Sequence, residues 1–194
     1  MGTIWRKTGI ALLTGTIATT TMLLATGGTS FASTSNVSTT SASTVTLTAT
    51  ATTAAALSWP TVKNGTTGEQ VVAIQYLLNQ RIGAGLAVDG QFGPKTLAAV
   101  RDFQKRFGLA VDGQVGSATW TKLIIQVANG SRGSAVMAVQ HNLRFSYGFT
   151  GLAVDGAFGP LTQTAVKDFQ KRFKLAQDGI VGPNTWNALI VHEK

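Results

Sequence analysis

The chain has 194 residues, of which 44% are hydrophobic and only 12% are charged, so its length suits one medium-sized domain or two small ones. It contains no cysteine, which excludes disulfides, thiolate zinc sites and a cysteine nucleophile. It has only two histidines and two glutamates, the residue types on which hydrolytic zinc sites and catalytic carboxylate pairs depend. The composition therefore predicts no catalytic residue, no metal site and no cofactor.

The formal net charge of +8 is spread along the chain. Residues 60–128 and residues 129–194 each carry seven basic and four acidic side chains, so each half has a charge of +3. A mildly basic surface fits an anionic partner such as nucleic acid, an anionic membrane or an acidic wall polymer. Nucleic acid is opposed by the lack of a dense basic stripe.

Residues 1–32 are predicted to form a secretory signal peptide. Arg6 and Lys7 precede an apolar stretch, and Ser30-Phe31-Ala32 then provides a small-x-small cleavage site. The alternative is a permanent membrane anchor, but threonines interrupt the apolar stretch, and a spanning helix needs roughly 20 mostly apolar residues. We therefore expect a secreted protein, extracellular or associated with the cell wall, without a permanent membrane span.

Residues 33–57 are predicted to form a disordered linker. Of these 25 residues, 14 are serine or threonine, and nearly all the others are small. Such a segment has too little apolar bulk to offset the entropy lost on ordering. The hydroxyl groups either carry sugars or belong to an unmodified spacer.

The rest of the chain is a duplication. Residues 85–124 align without gaps on residues 151–190, and 28 of the 40 positions are identical. A period near 66 residues is too long for a typical solenoid and indicates two small autonomous domains. We place the first module at residues 58–126 and the second at residues 127–194, and we expect a monomer. The short join near residues 127–133 suggests that the modules pack closely.

The spacing of apolar residues predicts three helices in each copy, and therefore an all-α fold of two tandem three-helix modules. In the first copy, one helix begins after Gly68 and the next begins at Gly93-Pro94, where proline suits the first helical position. Gly108 should end this second helix, whereas Lys174 in the second copy is a weaker stop. The second helix is expected to bury one stripe of side chains: Thr96, Val100, Phe103 and Phe107.

The six aspartates fall at matched positions in the two copies. Four belong to Asp-Gly pairs, where their side chains are expected to cap turns. The other two, Asp102 and Asp168, precede Arg106 and Arg172 by four residues, which predicts an ion pair on the helix surface. The arginines are also placed to meet carboxylates of a ligand.

Four linked motifs occur in both copies: Gly-x-x-Gly-x-x-Val-x-x-x-Gln, Val-Asp-Gly-x-Phe-Gly-Pro-x-Thr, Ala-Val-x-x-Phe-Gln and Asp-Gly-x-Val-Gly-x-x-Thr-Trp-x-x-Leu. With them, about residues 60–190 resemble the bacterial peptidoglycan-binding domain of type 1. The resemblance implies a three-helix fold and non-covalent attachment to cell-wall peptidoglycan, usually as a targeting module on a wall-modifying enzyme. This sequence departs from the pattern, because too few residues lie outside the two copies to form such an enzyme.

Eight residues, in four matched pairs, are candidate ligand-binding positions: Phe92 and Phe158, Gln104 and Gln170, Arg106 and Arg172, Tyr76 and His141. The phenylalanines lie in a loop and are expected to be partly exposed. The glutamines lie beside the buried stripe, where an amide either ties down a loop carbonyl or faces a saccharide or peptide. Tyr76 and His141 share one aligned position on the first helix, and the lone imidazole is interpreted as structural rather than as a metal ligand.

Two tryptophans, Trp120 and Trp186, can be considered as stacking surfaces for sugars. Their place in the Thr-Trp-x-x-Leu repeat favours packing in the core. The sequence therefore favours a secreted, non-catalytic protein that binds peptidoglycan through two modules, by glycan, stem peptide or both. The alternatives are an interaction or regulatory partner of a separate wall hydrolase and a small wall-lytic enzyme.

Overall fold

The computed structural model describes residues 57–192. The predicted signal peptide at residues 1–32 lies outside the described residues, and so does the predicted linker up to residue 56. In residues 57–192, no helix combines the length and the apolar character that crossing a membrane requires.

The described residues form six helices and no extended strand, which confirms the all-α prediction of three helices in each copy. In chain order the helices are α1 Glu69–Ile82, α2 Pro94–Arg106, α3 Ser117–Leu123, α4 Ser134–Phe145, α5 Pro160–Arg172 and α6 Pro183–Val191. Isolated antiparallel bridges join the leading segment of each module to the loop before its third helix. These bridges pair Val62 with Val115 and Val127 with Val181.

The second helix of each module buries its predicted stripe, with one exception. Thr96, Val100 and Phe103 are buried, but the side chain of Phe107 remains 38% exposed. Phe107 is the residue at the C-terminal cap of α2, where its backbone has left the helical conformation, and this removes its side chain from the direction of the stripe. Its ring still contacts Phe103, with 4.4 Å between the ring centroids.

Both second helices end in the same way. Gly108 has φ of 64°, and Lys174 at the matched position has φ of 56°. Lys174 therefore adopts the left-handed conformation that usually favours glycine. The backbone N–H of each residue donates to a carbonyl of the last helical turn, on Lys105 and Lys171. The weaker stop predicted for Lys174 nevertheless ends the helix at the same place.

The tryptophans of the third helices lie in the core, as predicted. Trp120 and Trp186 are fully buried. The indole Nε1 of Trp120 donates to the carbonyl of Pro60 at 2.9 Å, and that of Trp186 donates to the carbonyl of Ile125 at 2.7 Å. The indole of Trp120 thereby fixes the leading segment of its own module, and that of Trp186 fixes the last residues of the first module, just before the join. Each bond satisfies the N–H group that a buried indole must pair.

The two modules pack against each other through their first helices, α1 and α4. The N-terminus of α4 has no side-chain cap of its own, and its Ser134 N–H donates to Oε1 of Gln80 in α1 at 2.8 Å. In the other direction, Nε2 of Gln70 donates to the carbonyl of Ile190 near the end of α6 at 3.1 Å. These contacts bear out the close packing that the short join between the modules suggested.

Candidate functional site

The loops that shape the surface of the modules share one sequence. Leu-Ala-x-Asp-Gly-x-(Phe or Val)-Gly-(Pro or Ser)-x-Thr occurs four times, at residues 86–96, 109–119, 152–162 and 175–185. Each module therefore contains an internal repeat of 23 residues besides the repeat between modules. The four Asp-Gly turns, predicted singly above, therefore belong to one longer motif that the prediction missed.

A buried glutamine holds each of these loops. Gln104 donates through Nε2 to Oδ1 of Asp112 at 2.7 Å, to the carbonyl of Gln114 at 2.8 Å and to Oγ1 of Thr119 at 3.2 Å. Its Oε1 accepts the backbone N–H of Gly113 at 2.9 Å. Gln170 makes the same four contacts in the second module. Of the two roles expected for these glutamines, the structure supports the tying of a loop.

The same arrangement occurs at the other two loops, held by Gln75 and Gln140. These two glutamines lie on α1 and α4, and their contact with the turns was not predicted. All four glutamine side chains are buried and fully engaged inside the protein. They shape the surface, and they do not face it.

The Asp-Gly aspartates are turn-forming residues, as predicted. Oδ1 of Asp112 accepts the backbone N–H of Gln114 at 2.8 Å, and Oδ1 of Asp178 accepts that of Ile180 at 2.8 Å. These backbone hydrogen bonds, followed by those from Gln104 and Gln170, hold the pKa values of Asp112 and Asp178 below the ordinary value. The carboxylates therefore stay ionised as parts of the turns.

One surface groove recurs at the same place in both modules, between the α1–α2 or α4–α5 connection and the outer face of the following helix. The first groove, of about 390 Å³, is lined by Ile82, Ala84, Gly85, Leu86, Lys95, Ala98, Ala99 and Asp102. The second groove, of about 280 Å³, is lined by Phe149, Thr150, Gly151, Leu152, Leu161, Thr164, Ala165 and Asp168. Seven of the eight lining positions correspond at the offset of 66 residues between the copies.

Different side chains fix the wall of the two grooves. In the first module, Nδ2 of Asn79 donates to the carbonyl of Leu86 at 2.9 Å, and its Oδ1 accepts the N–H of Leu86 at 2.8 Å. In the second, Nη1 of Arg144 donates to the carbonyl of Leu152 at 3.1 Å. Asn79 and Arg144 occupy the same aligned position of the first helix. The equivalent carbonyls of Leu86 and Leu152 therefore accept a hydrogen bond from the same position in both modules, although the residue type differs.

Two further depressions lie beside the loops, but at positions that do not correspond between the modules. One lies at the first loop of the first module, beside Asp89 and Pro94, and the other at the second loop of the second module, beside Asp178 and Pro183. The grooves along α2 and α5, by contrast, lie at corresponding positions of the two copies. We take these two grooves as the candidate binding site.

The expected exposure of Phe92 and Phe158 is wrong. Phe92 is only 1% exposed and Phe158 only 2%. Each lies inside the loop, and its backbone N–H and carbonyl are both hydrogen-bonded to the leading segment of the module, at Thr66 and Gly65 in the first copy. This pairing turns the ring into the core. A loop position was interpreted as exposed because sequence alone does not reveal such pairing.

The predicted ion pairs are found in one module of the two. In the first, Nη2 of Arg106 lies 2.8 Å from Oδ2 of Asp102, with both side chains substantially exposed. In the second, Arg172 does not pair with Asp168; its guanidinium lies over the ring of Phe173, 5.9 Å from the centroid. The prediction for the second copy was wrong because an aromatic ring competes for this arginine.

Tyr76 and His141 lie between the modules, with their ring centroids 6.0 Å apart. Nδ1 of His141 lies 2.8 Å from Oε2 of Glu69, the acidic residue in the first turn of α1. Burial, and to a lesser degree the charge of Glu69, raises the pKa of Tyr76. Among residues 57–192, no three or more histidine, aspartate or glutamate side chains are grouped so that they could hold a metal ion.

The sequence matches a known family in both copies. The family described as "Putative peptidoglycan binding domain" matches residues 67–123 and residues 132–189. Among curated proteins, a "Zinc D-Ala-D-Ala carboxypeptidase" of Streptomyces albus G is 42% identical over 118 residues, which are 60% of this chain and 43% of that protein. A "Probable N-acetylmuramoyl-L-alanine amidase" of Bacillus licheniformis is 33% identical over 141 residues, 68% of this chain and 38% of that protein.

Among solved structures, a "Peptidoglycan-Binding Protein from Clostridioides difficile" is 42% identical, with a TM-score of 0.32 over 33% of this chain and 40% of that chain. The chain spans less than half the length of the curated relatives described above. The two family matches together cover more than half of the chain and coincide with the two three-helix modules. The chain therefore belongs to the peptidoglycan-binding domain family and carries two tandem copies of the domain.

Proposed function

We propose that this protein binds bacterial cell-wall peptidoglycan non-covalently through both modules, and that it acts as a wall-anchored or wall-targeting protein without catalysing a reaction. The observation that carries the proposal is the recurrence of one groove at equivalent positions of the two modules. Open grooves lined by apolar groups with a few polar ones are the usual form of a ligand site. The charge of +3 on each half favours an acidic wall polymer.

The lining of the grooves fits a stem peptide better than a glycan chain. Small and aliphatic side chains form most of each groove, a surface that complements alanine methyl groups. Trp120 and Trp186, whose large ring faces would suit stacking on sugars, are fully buried. A charged group at one end of each groove, Asp102 or Asp168, offers an orienting contact for the polar part of the peptide.

The packing of α1 on α4 gives the two grooves a fixed relationship. Two sites on one body bind a polymeric surface more tightly than either site alone, by about 10² or more when the geometry permits both to engage. The ordering of the modules takes place on folding, so it adds no cost on binding. We therefore expect the protein to bind most tightly to a wall that presents many stem peptides close together.

Five of the acidic groups in the described residues, and the imidazole of His141, have structural partners. The four Asp-Gly aspartates hold turns, and Glu69 contacts His141 between the modules. These assignments support binding without catalysis. The relatives carry the names of a carboxypeptidase and an amidase, so the alternative is a protein that assists a separate wall hydrolase by binding it. Secretion, through the predicted signal peptide, is part of the same proposal.

Cosedimentation with insoluble purified sacculi tests the function. The chain from Ser33 onwards should pellet with the sacculi. Tryptophan at an exposed position of the groove floor, Ala98→Trp or Thr164→Trp, should weaken pelleting by filling one groove, and the double variant should abolish it. Ala118→Trp, on the exposed face of α3 and away from both grooves, is the matched control and should pellet as the parent does.

The result against binding is plain: a folded parent chain that stays in the supernatant would rule the proposal out. Pelleting by the double groove variant at the parent level would show that the grooves are not the site. Release of soluble muropeptides that persists in a chelator would assign an enzymatic role instead. Capture of a wall hydrolase by a chain that does not bind sacculi would favour the alternative of a hydrolase partner.

A further inference from the structure

The two grooves differ in charge although they occupy equivalent positions. The first is lined by Lys95 and by Asp102, which is paired with Arg106 at 2.8 Å. In the second groove, Leu161 occupies the position that corresponds to Lys95. Asp168 is the one charged residue that lines this groove. Asp168 has no ion pair within 4.0 Å in the described part of the chain, and its side chain is exposed at the end of the groove.

The difference between Asp102 and Asp168 accompanies a difference in the contacts of the aromatic ring that follows the second helix. In the first module, Arg81 lies over the ring of Phe107, 5.8 Å from the centroid, and its guanidinium also donates to the carbonyls of Leu123 and Ile124. Arg106 is then left to pair with Asp102.

In the second module, Tyr147 takes over the role of Arg81 at the third helix. Its hydroxyl donates to the carbonyls of Ala188 and Leu189, and its ring meets the edge of Phe173. Arg172 lies over the ring of Phe173, 5.9 Å from the centroid, and His192 stacks on the same ring with centroids 5.2 Å apart. Arg172 does not pair with Asp168, whose carboxylate has no ion pair among the described residues.

The surroundings of this carboxylate are apolar. Leu161, about two turns before Asp168 on the same face of α5, is 76% exposed and presents its aliphatic side chain to the groove. Phe149, Leu152 and Ala165 also line this groove. A ligand that fits this groove presents a cation to Asp168 and hydrocarbon to Leu161. A primary ammonium at the end of an alkyl chain, beside methyl groups, has this chemistry.

We propose that the second groove selects stem peptides whose diamino acid keeps a free side-chain ammonium, and thus the uncross-linked parts of the wall. This proposal rests on the peptidoglycan binding proposed above and specifies the ligand of one of its two sites. Cross-linking converts that ammonium to a neutral amide, which removes the charge that Asp168 attracts. The first groove, with Lys95 at its side and Asp102 already paired, lacks this preference.

The test compares one synthetic stem pentapeptide, with a lysine or diaminopimelate side-chain ammonium, with the same peptide acetylated on that amine. Binding to the isotope-labelled chain is followed by NMR, with the backbone signals of residues 149–152 and 161–168 reporting the second groove. Acetylation should weaken binding there by roughly two- to five-fold, the range expected for one exposed ion pair. Added salt should reduce the difference between the peptides.

Asp168→Asn should bring the affinity for the free-amine peptide down to that for the acetylated peptide and leave the latter unchanged. Leu161→Lys, which introduces the residue type of the first groove, should disfavour the free-amine peptide in the same direction. Ala118→Lys adds the same unit of positive charge on the exposed face of α3 and serves as the control. It should retain the preference of the parent chain.

The proposal is overturned if both peptides bind the second groove equally well, or if Asp168→Asn keeps the preference for the free amine. The wider function is tested separately with sacculi before and after acetylation of their amines. An Ala98→Trp chain, in which only the second groove is open, retains peptidoglycan binding but refutes the selectivity if it pellets equally with both preparations. A chain that pellets with neither refutes the function itself.

Discussion

Tyr76 and His141 occupy the same aligned position of the two modules, and they meet each other across the interface with ring centroids 6.0 Å apart. Contact between equivalent positions is the mark of an arrangement with approximate two-fold symmetry. The neighbouring contacts agree with it, because Gln80 near the end of α1 meets Ser134 at the start of α4. The two copies have therefore diverged most in the helices that bind them to each other.

The interface predicts that the modules stabilise each other. Ala73 and Ala138 lie at matched positions on the helix stripes that include Tyr76 and His141, and both are fully buried. Arginine at either position would place a charge and excess volume between α1 and α4. We expect Ala138→Arg to lower the free energy of unfolding by roughly 3 kcal/mol. Urea unfolding, followed by circular dichroism, measures the change.

The exposed Ala118 of α3 supplies the control, since Ala118→Arg should change stability by at most about 0.5 kcal/mol. In Ala138→Arg, small-angle scattering should show an expanded particle while the far-ultraviolet spectrum keeps its helical form. A variant with parent stability and dimensions would mean that the contacts between α1 and α4 contribute little to the fold.

Acid should destabilise the protein through its turns. The hydrogen bonds that Asp112 and Asp178 accept lower their pKa values in the folded state, so folding favours the ionised form. The stabilisation is present above the unfolded pKa of about 3.9 and is lost as pH falls through the lower folded pKa. Asparagine keeps the acceptor but removes the charge. The double variant Asp112→Asn, Asp178→Asn should therefore lose less stability than the parent between about pH 5 and pH 2.

Urea unfolding at several pH values compares the two proteins in that window. Above about pH 6, where the aspartates of both states are ionised, the difference in stability between parent and variant should be constant. An equally steep acid loss in the double variant would mean that other groups govern acid unfolding.

Much of the fold could be predicted from the sequence, because the signals are local. Proline at the start of α2 and α5 and the apolar spacing on α1 indicate helices without reference to the rest of the chain. The tryptophan of each third helix was correctly predicted to be in the core. Phe92 and Phe158 were not, since their burial depends on backbone pairing with a distant segment, which leaves no periodic trace.

The candidate site was harder to predict. The grooves are lined by alanines, glycines and leucines that carry no chemical signature, and the pairing of Asp102 is not repeated at Asp168 although the local sequence is the same. The difference coincides with different contacts of the neighbouring ring, because Phe173 meets Tyr147, His192 and Arg172, whereas Phe107 meets Arg81. The glutamine–aspartate turns, by contrast, were within reach of sequence reasoning through the motif that occurs four times.

A buried asparagine in α4 weakens the second module. Asn142 is 0% exposed; its Nδ2 donates to the carbonyl of Ala138 at 2.9 Å, while its Oδ1 has no hydrogen-bond partner. The matched residue of the first module is Leu77, which is also fully buried. A buried acceptor without a partner costs about 1–3 kcal/mol. Asn142→Leu should therefore stabilise the protein by about 1 kcal/mol or more.

The reciprocal variant Leu77→Asn is the matched comparison and should destabilise the first module by a similar or larger amount. Thermal unfolding of both variants at neutral pH measures the changes. A loss of stability in Asn142→Leu would show that the amide satisfies a requirement of the second core that leucine cannot meet, and the expectation would fail.

The glutamine that ties a loop should be among the most sensitive positions of each module. Gln104→Ala removes a side chain that makes four hydrogen bonds. It leaves the N–H of Gly113 without its partner, and the carbonyl of Gln114 keeps only the hydroxyl of Thr119 at 3.3 Å. Because an unpaired buried group costs about 1–3 kcal/mol, we expect a loss of at least about 2 kcal/mol. Gln114→Ala removes an exposed side chain of the same type in the same loop, and should cost at most about 0.5 kcal/mol. Amide hydrogen exchange should show that the N–H of Gly113 loses protection in Gln104→Ala but not in Gln114→Ala. If the two substitutions lower stability and protection equally, the buried amide does not hold the turn.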